Sequence, residues 1–338
     1  MSITTGVSFL AQTRSQTSRL LGMGSTMADL QRQLTSSKKS VTYSGLGFAA
    51  QGIQQHRMDV SRMDIYMTNI DHATTSVKMM STSVQSIHKI GTDLLSALQA
   101  QFRADPIDMN TIRQTAQNGL EFVEDLINLD LNGKYLFGGS ASTTKPLANA
   151  GLGVTAIQNN LTDWFDGTLT SAQLMTNVEG LTATQLGFDP LMTSATNTST
   201  RIDEYTDLDI TSIAGQNGFE QMMMMLTMAA NIDIPDPMVD VATSADFNDV
   251  LNRMIAVTRQ AVTSVEALAN TLGGKYEFLG SVRLSHEDEK SMLQGLIDGA
   301  ENVDPTEVSA KILTLQTQME SAYQVTNLVS QLSLINYI

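Results

Sequence analysis

The chain of 338 residues contains no cysteine. Disulfide frameworks, thiolate metal sites and cysteine nucleophiles are thereby excluded. Prolines number only 6 and aromatic residues make up 5%, so a core has to be built from aliphatic side chains and from methionine, of which there are 20. Such a core suits helix–helix packing better than a large sandwich or barrel, and the flexible thioether fills irregular gaps. Positive charge is also scarce: 20 Lys and Arg stand against 35 Asp and Glu, a net charge of −15. Nucleic-acid binding needs clustered cations to displace counterions, so this balance argues against it. It argues against anionic membrane surfaces for the same reason. No run of about 18 apolar residues occurs, so no membrane insertion is expected. The start, Met1-Ser2-Ile3-Thr4-Thr5-Gly6-Val7, lacks the basic and apolar regions of a cleaved signal peptide.

Helical periodicity is what the chain does have. Met63, Ile70, Val77, Val84, Gly91 and Leu98 are spaced by seven, and Tyr66, Ala73, Met80, Ile87 and Leu94 each follow three residues later. This a/d repeat, weak only at Gly91, predicts one long helix over 51–102 with a seam facing partner helices. A shorter seam, Leu20, Met23, Met27, Leu30 and Leu34, precedes it. Glycine and serine in 36–47 mark a loop between the two. Asp105-Pro106 marks another break, and 108–129 reads as a helix with Ile112, Ala116, Leu120, Val123 and Ile127 on one side. Asn132-Gly133 supplies the left-handed backbone of a helix stop or tight turn.

From 141 to 244 Thr, Ser, Asn, Gly and Asp dominate and the period weakens. Short β-like pieces such as 153–157 are expected there, with one short helix at 218–230 ended by Ile234-Pro235-Asp236-Pro237. The run Met222 to Met225 on that helix reads as core filling. Helical pattern returns at 245 through Phe247, Leu251, Met254, Val257, Ala261, Val265 and Leu268. Leu272-Gly273-Gly274-Lys275-Tyr276 reads as a stop or a close backbone contact. Asp304-Pro305 opens the last helix, since proline is tolerated in a first turn. One seam of that helix runs through Val308, Ile312, Leu315, Met319, Ala322 and Val329, with Thr326 in register. A second stripe, Val325, Leu328, Leu332 and Ile335, implies a second neighbour.

The expected fold is mostly α. Both chain ends form an elongated antiparallel helical rod, coiled-coil-like, with a mixed and partly β inserted middle domain. The expected divisions are 1–50 (assembly helix and loop), 51–140 (N-terminal part of the rod), 141–245 (surface-exposed insertion) and 246–338 (C-terminal part of the rod and terminal assembly helix). Candidate assembly residues are Leu20, Met27, Leu30 and Leu34 at one end and Val325, Leu328, Leu332 and Ile335 at the other.

Signals for catalysis or metal binding are weak. His56, His72, His88 and His286 form no i, i+3 or i, i+4 pair and read as solvated helix positions. The acidic run 203–209 lacks the glycine and terminal glutamate of an EF-hand and reads as a solvated loop. Gly138-Gly139-Ser140 is no P-loop, and neither Gly22-Met23-Gly24-Ser25 nor Gly151-Leu152-Gly153 matches a nucleophile elbow or a full dinucleotide fingerprint. No catalytic residue, cofactor site or metal site is assigned.

Several stretches resemble the bacterial flagellin family. The run from Glu121-Phe122-Val123-Glu124-Asp125-Leu126-Ile127-Asn128 through Asn132-Gly133-Lys134-Tyr135-Leu136-Phe137-Gly138-Gly139 resembles the family's close of its N-terminal helical region. Leu272-Gly273-Gly274-Lys275 through Glu287-Asp288-Glu289-Lys290 resembles the start of its C-terminal region, and Glu301-Asn302-Val303-Asp304-Pro305-Thr306-Glu307 with Leu315-Gln316-Thr317-Gln318-Met319 its closing helix. The ending Ser330-Gln331-Leu332-Ser333-Leu334-Ile335-Asn336-Tyr337-Ile338 is more similar to FlgL-type hook-associated (hook–filament junction) proteins than to filament flagellins. The loop 38–47 departs from the common flagellin loop, which ends in paired aspartates. The resemblance covers about 1–140 and 246–338. It implies a structural subunit of the bacterial flagellum, not an enzyme, polymerising through its terminal helices. It also implies export through the flagellar type III apparatus with a chaperone, and assembly outside the cell beside flagellin-family neighbours and hook-associated proteins. A filament flagellin remains the alternative, as does an adhesin or enzyme carried by 141–245.

Overall fold

The computed structural model describes residues 3–104, 107–215 and 218–335, without the side chains of 3–10, 12–13 and 329–335. Asp105-Pro106 lies outside the described residues. Among those described, the α-helices are α1 (Ile3–Ser36), α2 (Ala49–Phe102), α3 (Met109–Ile127), α4 (Gly151–Phe165), α5 (Ser171–Glu179), α6 (Leu191–Ser194), α7 (Phe219–Asn231), α8 (Ser244–Glu301) and α9 (Pro305–Ile335). The strands are β1 (Asp130–Leu131), β2 (Lys134–Tyr135), β3 (Ser199–Arg201) and β4 (Asp207–Asp209), paired antiparallel as β1–β2 and β3–β4. The protein is thus mostly helical, with long helices at both chain ends and few short strands. Its internal contacts divide it into two compact units, Met1–Asp64 with Glu287–Ile338, and Ile65–His286. The segment 141–245 therefore clusters with helical stretches on both sides of it.

Helix boundaries follow from local chemistry. Asp108 caps α3 by accepting from the Asn110 amide at 3.0 Å and the Thr111 hydroxyl at 2.7 Å. The Thr111 hydroxyl, with the Asn110 amide, holds the Asp108 carboxyl below its ordinary range. Thr170 and Gln173 form a capping box on α5. Thr243 and Asp246 do the same for α8, at 2.9 and 3.3 Å. Asp304 caps α9 through the Thr306 amide at 2.8 Å, with Pro305 in the first turn as expected. Between β1 and β2, Asn132 and Gly133 take positive φ of 55° and 77°, a two-residue hairpin turn.

In the Ile65–His286 unit the heptad seam of α2 is buried throughout, from Tyr66 to Leu98. α8 runs antiparallel to it, since Asp71 pairs with Arg283 at 2.8 Å while Gly91 lies against Val262. Helix α7 is the centre of this unit. It is buried on every face from Met222 to Ala230, so the run Met222 to Met225 is core. α7 packs on α3, α4 and α5. Two glycines permit the approach: a side chain at Gly91 would meet Met222, and one at Gly119 would meet Ile90 and Leu226. The weak heptad position Gly91 is therefore the notch that receives a buried methionine.

Three expectations are corrected. Residues 153–157 are helical, within α4, because Gly153, Ile157, Leu161 and Trp164 form one buried face at helical spacing. Gly273 and Gly274 neither stop α8 nor meet another backbone: the helix runs through them, and an added Cβ would touch nothing within 4 Å. Replacing both by alanine is thus expected to stabilise the chain by about 1 kcal/mol each, through helix propensity. Thermal unfolding of the two single variants and the pair measures this; an unchanged or lower midpoint would contradict open space at these sites. Finally, His286 is not solvated. It is 4% exposed, its Nε2 lies 2.7 Å from the Ile202 carbonyl, and its ring tilts against Tyr66. That contact, with Asn69 Nδ2 donating to the Arg201 carbonyl at 3.0 Å, seats the β3–β4 hairpin. The acidic run 203–209 lies in this hairpin, where Arg201 pairs with Asp207. The Arg201 guanidinium lowers the Asp207 carboxyl below its ordinary range.

Candidate assembly interface

In the terminal unit α1 and α9 pack along one another. The helix α9 uses Val308, Ile312, Leu315, Met319, Ala322 and Thr326 for this, as their buried or half-buried positions recur every three or four residues. The facing stripe on α1 is Leu20, Met23, Met27 and Leu30, all half-buried, while Leu34 is more open. Three of the four N-terminal candidates thus already contact their own chain in part. The C-terminal candidates differ. Val325 is 49% exposed and Leu328 59%, on a face of α9 turned away from that seam. The side chains of Leu332 and Ile335 lie outside the described residues. Leu21 and Leu313 are further exposed aliphatic positions on the same two helices.

The base of this unit is held by charge. Glu301, 6% exposed, ends α8, and its two carboxylate oxygens accept from Arg57 Nη2 at 2.7 and 2.9 Å. Lys38 Nζ adds a third contact at 3.3 Å. Arg57 also donates to the Tyr43 hydroxyl at 2.9 Å and stacks over its ring. The backbone completes the joint: the Lys39 amide donates to the Glu301 carbonyl at 2.7 Å, and the Val303 amide to the Ser37 carbonyl at 3.1 Å. The Lys39 ammonium donates to the Gly299 carbonyl at 2.8 Å. A loop that reads as merely irregular in sequence is therefore pinned to the turn between α8 and α9. No local signal announces this, because Arg57 and Glu301 stand 244 residues apart.

In the Ile65–His286 unit a groove of about 640 Å³ runs between α5 and α8, lined by Ser171, Met175, Thr176, Asp249 and others. The bidentate pair of Arg253 with Glu179, at 2.6 Å for each contact, crosses it. Its two charges are spent on each other.

No family model and no curated protein matches the chain. Among solved structures, FlgL of Bacillus cereus gives a TM-score of 0.49 at 11% identity, over 72% of this chain and 98% of that one. A protein of Vibrio parahaemolyticus described as a flagellar hook-associated protein gives a TM-score of 0.53 at 13% identity, over 75% of this chain and 97% of that one. With its long helices at both ends and short antiparallel strands between them, this chain shares the fold of that Vibrio protein.

Proposed function

We propose that this chain is a structural subunit of the bacterial flagellum, placed at the hook–filament junction and assembling through its terminal helices. The observation that carries the reading is the second face of α9, where Val325 and Leu328 stay exposed although the parallel seam of the same helix is packed on α1. Exposed aliphatic side chains on an otherwise packed helix mark a surface awaiting a neighbour. The fold shared with a protein described as hook-associated supports it, and the ending 330–338 favours the junction over the filament. On this reading the neighbours are flagellin-family and hook-associated proteins, the chain is exported with a chaperone, and its role is assembly, not catalysis.

Deleting the gene tests this. Bare hooks under the electron microscope, with abundant monomeric flagellin in the medium, are expected. Missing filaments, with this protein the bulk species of wild-type filaments, would make it the filament subunit instead. Unchanged flagella would count against both.

A further inference from the structure

Exposed apolar side chains gather in two further places, and the two carry opposite charge. The first is the loop between α1 and α2, where Val41 and Tyr43 are open and Phe48 is fully exposed. The loop 36–48 holds Lys38 and Lys39 and no acidic side chain, in a chain of net charge −15. Lys38 is paired with Glu301, as is the neighbouring Arg57, and Arg32 and Arg62 are paired with Asp29 and Asp59, but the Lys39 ammonium meets only the Gly299 carbonyl. The second place is the loop between α7 and α8, where Met238 is 92% exposed, Val239 81% and Val241 two-thirds. The Val241 amide donates to the Phe165 carbonyl at 2.8 Å, and the Val241 side chain lies against Gly167, so this loop is fastened to the end of α4. Together the two segments carry Asp163, Asp166, Asp233, Asp236 and Asp240 and no lysine or arginine. Only Asp233 has a cationic partner among the described residues, Arg113 at 2.8 Å.

We infer that the basic, apolar loop 36–48 of one copy docks on the acidic, apolar loop 234–241 of a second copy. Each patch offers aliphatic or aromatic surface to bury, and each supplies the charge the other lacks, which steers encounter and fixes register. The patches differ from one another, so the contact is heterologous. Repetition of a heterologous contact gives rings or open helical assemblies and not closed dimers. The inference rests on the assembly reading above and names a contact for it beyond the stripe of α9.

The absence of cysteine makes the test clean. A Val41→Cys chain is mixed with a Met238→Cys chain under mild oxidation, beside a Val41→Cys mixture with Tyr205→Cys as an exposed control. The first mixture is expected to give at least roughly fivefold more mixed disulfide than the control. Lys39→Glu in the Val41→Cys chain should remove the excess, and Asp236→Lys with Asp240→Lys in its partner should restore it. Both cysteine sites are exposed, and circular dichroism checks that each variant folds. Equal yields, or a dominant Val41→Cys homodimer, would overturn the pairing, as would a wild-type chain that sediments as a monomer up to its solubility limit. Equal yields from chains that still sediment as oligomers would sink this contact alone. Failure of the flagellar reading would appear separately, as unchanged flagella in the deletion strain.

Discussion

Replacing Val325 and Leu328 together by serine is expected to raise the concentration needed for assembly roughly thirtyfold while leaving the monomer folded. Each side chain has about half its surface still to bury. At the usual return for apolar area, that leaves about 1 kcal/mol per residue to be gained from a neighbour. Neither residue contributes to the α1–α9 seam, so the monomer loses little. Removing 325–338 altogether extends the same logic to Leu332 and Ile335 and is expected to give a soluble chain that does not assemble. Sedimentation and electron microscopy read both variants. Leu315→Asp is the informative contrast, because it strikes the seam shared with α1 and should loosen the terminal unit itself. Normal particles from the truncated chain would remove the second face of α9 from the assembly.

A loss of about 2–4 kcal/mol in the terminal unit is expected from Arg57→Met. The reason is the burial of Glu301, whose carboxylate receives two short contacts from Arg57 and one longer contact from Lys38. Removing the guanidinium leaves a buried carboxylate with one partial partner, and an unmatched buried charge costs more than the pair contributed. Combining Arg57→Met with Glu301→Gln should recover at least about 1 kcal/mol of the loss, since the stranded charge is then gone. Hydrogen exchange at the Lys39 and Val303 amides reads this directly, as both donate across the joint. Strictly additive losses, or unchanged protection in the single variant, would show that the joint does not depend on this charge pairing.

The long helices were legible because their evidence is local. A seam such as Ile70, Val77, Val84 and Leu98 repeats along one segment, and whatever packs on it, that face must be buried. Caps were legible for the same reason: Asp304 before Pro305 acts within one turn. The misreadings have a common cause as well. The helical spacing of Gly153, Ile157, Leu161 and Trp164 was present, but the Thr, Asn and Gly between them lower intrinsic helix preference, and tertiary burial overrides it. Gly273 and Gly274 look like a break, yet the well-formed turns on either side carry the helix through.

Periodicity, capping and composition alone dictated that both ends of this chain are helical, that its core is aliphatic and methionine-rich, and that the last helix carries two apolar stripes. Tertiary structure decided which surfaces are already spent. It put Leu20, Met27 and Leu30 partly against their own α9 and left Val325 and Leu328 open. It buried His286 under a hairpin and joined Arg57 to Glu301. A repeat reports on its own helix, within a few residues, whereas the choice of partner depends on groups hundreds of residues apart that only the folded chain brings within contact distance.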